Sequence, residues 1–269
     1  MSHDFVNIDK PHPHVTVVTL NRPERMNAMA FDVMIPFKQA LEAVGHDNDT
    51  RVVVVTGAGH GFCSGADLED SGHVPNIDGL TRPSIAYRSM ELLDDIVLTI
   101  RRLHQPVIAA VNGAAIGGGF CLAVACDIRI AATPAYFRAA GINNGLTSSE
   151  LGISYLLPRA IGSSRAFEIM LSGRDVDSDE AERIGLVSRT VEPAQLLDSC
   201  YELADRIIGF SRVGVESTKR LLWSSLDASS LHAHMDHEGH AQLFVRMTTQ
   251  NFEEAVRARR EGRAPEFKD

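Results

Sequence analysis

The chain has 269 residues, of which 44% are hydrophobic and 23% are charged, as expected for a globular protein with a sizeable core. Its formal net charge of −9 argues against nucleic acid as a main partner, because phosphate binding needs a basic surface. The amino terminus has no apolar run like that of a signal peptide, and the longest apolar stretches are too short to cross a bilayer.

The predicted elements of the first two thirds alternate between strand and helix. Short apolar or β-branched runs predict strands over 15–20, 51–56, 107–111 and 128–132. Apolar residues at helical spacing predict helices over 31–44, 84–103 and 120–125. This alternation predicts a layered α/β core over residues 1–195.

Helical patterns dominate the rest of the chain. They cover 163–171, 178–184, 193–208, 213–223, 231–248 and 252–260. We therefore predict a separate helical region over residues 196–269.

The four cysteines form no CxxC pair and lie mostly in apolar or small-residue segments; they are Cys63, Cys121, Cys126 and Cys200. This usage predicts reduced thiols in a cytoplasmic protein.

Two glycine-bearing loops each follow a predicted buried strand: FCSGADL at 62–68 and NGAAIGGG at 112–119. Three glycines at a helix entrance let the backbone approach a ligand closely, and the free N–H groups there favour negative charge. Two such loops together predict an oxyanion hole for a polarised carbonyl. The alternative is that the glycines only permit tight turns. A dinucleotide site is disfavoured because no GxGxxG follows the first strand.

These loops resemble a known family. The segment 108–128, IAAVNGAAIGGGFCLAVACDI, resembles the signature of the enoyl-CoA hydratase/isomerase (crotonase) family, and FCSGADL resembles its other oxyanion loop. The segments LNRP at 20–23 with RMNAM at 25–29, and LSG at 171–173 with AERIGLV at 181–187, are similar to further family motifs. The resemblance runs in the family's order from about residue 15 to the end.

The resemblance implies a spiral core of ββα units, with a C-terminal helical region that assembles trimers or dimers of trimers. It implies a coenzyme A thioester as substrate in fatty-acid metabolism, with no cofactor and no metal. The N–H groups of Ala66 and Gly118 would hold the thioester oxygen. Residues along CoA would be Arg25, Met26, Ala28, Ser64, Asp67 and Leu68.

The sequence departs from the family's hydratases at two positions. Those enzymes hold a water between two glutamates, and the matching positions here are Cys121 and either Ala140 or Gly141. None of these residues carries a carboxylate that activates water or protonates carbon.

One carboxylate remains as a candidate base. Family isomerases carry an acidic residue upstream of a segment like LPRAIG at 157–162, and Glu150 matches that place. A single base beside an oxyanion hole suits a Δ3 to Δ2 enoyl-CoA shift, which is the preferred prediction. The alternative is that Ser148, Ser149 and Glu150 cap a helix.

Other functions stay open at this point: an enoyl-CoA hydratase with an atypical site, a non-catalytic acyl-CoA-binding protein, and a structural oligomer. The histidines His232, His234, His237 and His240 are either metal ligands or ordinary helix residues, and we favour the latter. The basic residues Arg257, Arg259 and Arg260 either face the CoA phosphates of a neighbouring subunit or form a solvated surface.

Overall fold

The computed structural model of the protein describes residues 5–268. The larger of its two sheets has six strands, in the order β1-β2-β3-β5-β7-β10. These strands are β1 Val6–His12, β2 Val15–Leu20, β3 Val52–Gly57, β5 Val107–Val111, β7 Ile128–Ala132 and β10 Arg189–Val191. All neighbouring pairs are parallel except β1 with β2.

The second sheet has four short strands in the order β4-β6-β8-β9. They are β4 Gly61–Cys63, β6 Ala114–Ile116, β8 Tyr136–Arg138 and β9 Val176–Asp177. The first three run parallel and β9 pairs antiparallel with β8.

The helices of the first part are α1 Phe31–Gly45, α2 Arg82–Arg102, α3 Gly118–Ala125, α4 Ile153–Ile161, α5 Ser163–Ser172 and α6 Ser178–Arg183. Four more follow: α7 Leu196–Ile208, α8 Arg212–Ser225, α9 Leu231–Thr248 and α10 Asn251–Glu261. None of the helices within residues 5–268 is long and apolar enough to span a membrane.

A ββα unit repeats three times along the chain. β3, β5 and β7 each place a strand in the larger sheet, the next strand joins the smaller sheet, and a helix follows. Strand β3 is buried along its whole length, as expected for a parallel strand covered on both faces. The predicted crotonase-like spiral of an α/β protein is therefore confirmed.

Alternation along β3 divides the core in two. Val53 and Val55 join the cluster that includes α1, α3 and both sheets, whereas Val52 and Val54 face the other way. That second face is covered by α7 through Leu196, Cys200 and Ala204. The predicted boundary between residues 195 and 196 thus lies where the covering helix begins. The division itself stays a prediction.

The long predicted elements are confirmed to within a few residues, but several short ones were missed. β4 overlaps the start of the segment 62–68 and β6 lies inside 112–119, both of which were predicted to be loops. Strands of two or three residues carry too few side chains for an alternating pattern. The sequence pattern also missed β1, whose exposed central residues hide its periodicity, and the helix α4.

Asp127 connects α8 to the core. Its carboxylate accepts hydrogen bonds from Val107 N at 2.6 Å, Trp223 Nε1 at 2.5 Å and Lys219 Nζ at 2.8 Å. The Lys219 ammonium also donates to the Gln105 carbonyl at 2.8 Å and is almost fully buried, which lowers the pKa of Lys219. This buried ion pair fixes α8 against the beginning of β5.

Replacing Lys219 with Met leaves the Asp127 carboxylate buried without its cation. We expect the free energy of unfolding to fall by about 3 kcal/mol, measured by urea denaturation. The matched control is Arg220→Met at the neighbouring exposed position, which should change stability little. Equal stability of the two variants would contradict the role assigned to the pair.

Candidate functional site

The site lies where three parallel strands of the smaller sheet end. β4 leads into Ser64–Gly65–Ala66, β6 leads into Gly117–Gly118, and β8 leads into residues 139–152. Because β4, β6 and β8 are neighbours in the sheet, their following loops meet at one edge.

The two glycine loops touch through their backbones. Gly65 has φ +82° and Gly117 has φ +52°, conformations that favour glycine. A Cβ on Gly65 would lie 2.6 Å from the Ile116 carbonyl oxygen and 3.4 Å from the Gly118 nitrogen. Only a residue without a side chain permits this approach, so the two loops lie in contact, and the oxyanion hole itself stays a prediction.

Two amides at this contact have no hydrogen-bond acceptor within residues 5–268. The Gly118 N–H belongs to the first turn of α3, where helical amides lack an internal partner. Ala66 forms a parallel bridge with Met29, but the bonds run from Met29 N to Gly65 O at 2.7 Å and from Asp67 N to Met29 O at 3.3 Å. The Ala66 N–H is therefore left free for a ligand.

Glu150 lies beside the same glycines. Its Oε1 is 3.4 Å from the position that a Cβ on Gly117 would occupy. The chain then turns sharply, since Leu151 and Gly152 have φ +46° and +78°. A left-handed conformation is costly for leucine and occurs where the surroundings enforce it, often at functional sites.

The capping alternative for Glu150 is not supported. α4 begins at Ile153, its N-cap residue is Gly152, and no side chain caps it. Ser148 instead bonds within the preceding loop, where its hydroxyl donates to Ala139 O at 3.0 Å and accepts from Ile142 N at 3.1 Å.

The surroundings of Glu150 are apolar. In the described part of the chain its carboxylate has no hydrogen bond or ion pair, and burial raises the pKa of Glu150 above the usual 4.5. A raised pKa makes a carboxylate a stronger base near neutral pH.

The two positions that match the hydratase glutamates also lie here. Cys121 is fully buried on α3, and its thiol donates to the Glu150 carbonyl at 3.5 Å. Burial, with the nearby charge of Glu150, raises the pKa of this thiol well above its ordinary value, so it stays neutral. Ala140 lies 3.8 Å from the Cβ position of Gly117, whereas a Cβ on Gly141 would clash with Thr147 O at 2.0 Å. Ala140 is therefore the residue nearer to the site.

The six residues predicted to lie along CoA fall on two adjoining segments. Met26 O accepts a bond from Ser64 N at 3.0 Å, and the Ser64 hydroxyl donates to Arg25 O at 3.4 Å. The side chains of Met26 and Leu68 are exposed, whereas Ala28 is buried. The structure thus brings the segments together and leaves two apolar side chains open on their surface.

Asp67 differs from the other five because its side chain is only 1% exposed. Arg25 Nη2 lies 2.6 Å from one carboxylate oxygen, and Arg22 Nη1 lies 3.0 Å from the other. The hydrogen bonds from Arg25, with those from the backbone amides of Asp70 and Glu69, hold the pKa of Asp67 far below its usual range. Its carboxylate is thus fully used by the protein.

Sequence reasoning missed three residues that shape the site. A Cβ on Gly118 would lie 2.2 Å from Met29 Sδ and 3.4 Å from Leu151 Cδ1, so both side chains line the amide. Asn27, with φ +56°, fixes the neighbouring turn by donating to Ala58 O at 2.9 Å and Gly61 O at 2.8 Å. Asn27 and Met29 lie inside the motif RMNAM at 25–29, and Leu151 follows Glu150, so their positions in the sequence were the signals that could have identified them.

The other candidate groups are the histidines of α9, the arginines of α10 and the cysteines. His234 is buried on α9, and its ring is 6.5 Å from that of His237. Among residues 5–268 there is no group of three or more His, Cys, Asp or Glu placed to hold a metal ion. The exposed Arg257 pairs with Glu254 of its own helix, and Arg259 and Arg260 are exposed. All four cysteines are buried and unpaired.

This geometry agrees with comparisons to known proteins. A family model described as enoyl-CoA hydratase/isomerase matches residues 12–269. The chain belongs to the enoyl-CoA hydratase/isomerase family, and it is an enzyme of that family.

Similar proteins carry both names of the family. A protein named probable enoyl-CoA hydratase EchA12 of Mycobacterium tuberculosis is 69% identical over 265 residues, which are 98% of this chain and 93% of that protein. The crystal structure of a probable enoyl-CoA hydratase/isomerase from Mycobacterium abscessus is 67% identical, with a TM-score of 0.94 and 98% of each chain covered. A structure described as a monofunctional enoyl CoA isomerase from M. smegmatis is 62% identical, with a TM-score of 0.74, covering 86% of this chain and 98% of that one.

Burial of Glu150 has a consequence for stability. Because its folded pKa is raised above the unfolded value, the folded state binds more protons between the two pKa values, and stability falls as pH rises through them. We expect Glu150→Gln, which resembles the protonated form, to melt at a higher temperature than wild type at pH 7. The difference should vanish below about pH 4. Calorimetry measures the melting temperatures of both proteins. A variant that is less stable than wild type at pH 7 would contradict this prediction.

Proposed function

We propose that this protein is an enoyl-CoA isomerase that converts Δ3-enoyl-CoA into Δ2-enoyl-CoA thioesters. The observation that carries the proposal is the position of the Glu150 carboxylate beside Gly117 and Gly118, in apolar surroundings. This places one base next to the amide expected to hold the thioester oxygen.

The proposed reaction needs two kinds of group. Glu150 removes a proton from the α-carbon, and the electrons move onto the thioester oxygen to form a dienolate. The N–H groups of Ala66 and Gly118 stabilise that oxygen, since donors aimed at developing charge act strongly in a desolvated site. The protonated Glu150 then returns the proton to the γ-carbon, so that acid and base are the same residue.

The positions around Glu150 favour isomerisation over hydration. Addition of water needs one group to activate the water and another to protonate carbon. Cys121 has a neutral buried thiol and Ala140 has a methyl group, so neither supplies the second carboxylate. The name of the M. smegmatis neighbour, a monofunctional enoyl CoA isomerase, supports the same choice.

Hydration is the second candidate, because the M. tuberculosis relative is named a probable enoyl-CoA hydratase. In that case Glu150 would be the single carboxylate that both activates water and protonates carbon, in a site atypical of hydratases. The third candidate is a protein that binds acyl-CoA without turning it over. Binding of acyl-CoA with neither isomerisation nor hydration would identify it.

The remaining family expectations belong to this proposal. Arg25, Met26, Ala28, Ser64 and Leu68 would lie along CoA, and Asp67 would support the same surface. The proposed reaction needs no cofactor and no metal ion. We propose a trimer or dimer of trimers assembled through the helical region, acting in fatty-acid metabolism in the cytoplasm.

The Glu150→Gln variant tests the base. We expect turnover of 3-hexenoyl-CoA to fall by about 1000-fold because the amide cannot accept the proton, while hexanoyl-CoA binds with unchanged affinity. The exposed Glu168 of α5 provides the control, and Glu168→Gln should keep full activity. Unchanged isomerisation by Glu150→Gln would remove Glu150 from the mechanism.

Product analysis separates the two reactions. With crotonyl-CoA as substrate, we expect no 3-hydroxybutanoyl-CoA above the uncatalysed level, because Cys121 and Ala140 carry no carboxylate to activate water. With 3-hexenoyl-CoA as substrate, we expect 2-hexenoyl-CoA as the product, and chromatography detects it. Rapid hydration of crotonyl-CoA would instead select the hydratase.

A further inference from the structure

Asp67 connects two segments that border the site. Its carboxylate accepts hydrogen bonds from the Arg22 and Arg25 guanidinium groups and from the backbone amides of Glu69 and Asp70, all between 2.6 and 3.3 Å. We call Asp67 with Arg22 and Arg25 the Asp67 clasp.

The clasp is rigid at both ends. Asp67 is 1% exposed at its side chain, and Arg22 is 14% exposed. The chain from Arg22 to Asn27 is itself fixed, because the Asn27 side chain accepts from Arg22 N at 2.9 Å and donates to Gly61 O at 2.8 Å. Bidentate pairing of arginine with a carboxylate adds directional specificity to such a contact.

The clasp lies directly beside the free Ala66 amide. Gly65 on one side is fixed by the 2.7 Å bond from Met29 N to Gly65 O. On the other side the backbone bond from Asp67 N to Met29 O is long, at 3.3 Å. The Asp67 side chain therefore adds a second restraint on that side of Ala66.

We propose that Asp67 is a positioning residue: through Arg22 and Arg25 it holds the Ala66 N–H in the direction needed to polarise a thioester carbonyl, rather than contacting coenzyme A. This inference rests on the proposed function, in which Ala66 supplies one of the two amides. A donor that is misplaced by about 1 Å lowers turnover roughly 100-fold without removing any contact to the rest of the substrate.

The test measures carbonyl polarisation directly. Hexanoyl-CoA labelled with carbon-13 at the thioester carbonyl is bound to the protein, and its C=O stretch is followed by infrared difference spectroscopy. We expect wild type to lower the stretching frequency relative to free hexanoyl-CoA. In Asp67→Asn most of this shift should be lost, kcat for 3-hexenoyl-CoA should fall about 100-fold, and the Kd for free CoA should change less than about twofold.

Two further variants make the result decisive. Arg22→Gln removes one arm of the clasp and keeps the Arg25 pair, so an intermediate loss of the shift is expected even if Asp67→Asn does not fold. Asp70→Asn is the matched control, because the Asp70 side chain bonds Gly72 N at 3.0 Å and does not join the clasp. It should keep the wild-type frequency.

The outcomes that overturn the inference are distinct from failure of the proposed reaction. Weaker binding of free CoA with a retained shift would make Asp67 a ligand contact. A lower melting temperature with both shift and kcat retained would make the clasp purely structural. A wild-type protein that shows no shift would overturn the inference outright. A wild-type protein that shows the shift, loses it in Asp67→Asn and does not isomerise 3-hexenoyl-CoA would refute the proposed reaction and still support the clasp.

Discussion

The contact between two glycine loops determines the rest of this site. Gly65 approaches the Ile116 carbonyl so closely that no Cβ fits, and this approach brings the beginning of α3 beside the loop after β4. The amides of Ala66 and Gly118 lack an acceptor within residues 5–268, and Ala66 is exposed, so its N–H is open to water or to a ligand. The buried strands β3 and β5 precede these two loops in the chain and lie side by side in the larger sheet.

The proposed base, Glu150, has an energetic cost for the folded protein. A carboxylate without partners in apolar surroundings destabilises the folded state, as does the left-handed conformation of Leu151 next to it. Sites that carry such features often exchange stability for activity. The clasp around Asp67 and the ion pair of Lys219 with Asp127 each connect two separate segments of the chain.

Much of the fold was predictable from the sequence. Long runs such as Val52–Gly57 and the helical spacing of 31–44 are strong local signals, and the glycine motifs placed Ala66 and Gly118 on loops that do meet. The short strands were missed because two or three residues contain no period. The role of the Asp67 side chain was also out of reach, since its partners lie about forty residues away in sequence and only the fold brings them together.

The spiral assigns each part of the site to a different turn of the chain. The unit with β4 contributes one free amide, the unit with β6 contributes the other, and the unit with β8 contributes the loop that bears Glu150. In the proposed reaction, binding of the carbonyl oxygen and proton transfer would thus come from separate repeats. Substitutions in the third repeat would then change the chemistry of the thioester while the first two repeats still bind its oxygen, which is a route by which one scaffold diversifies.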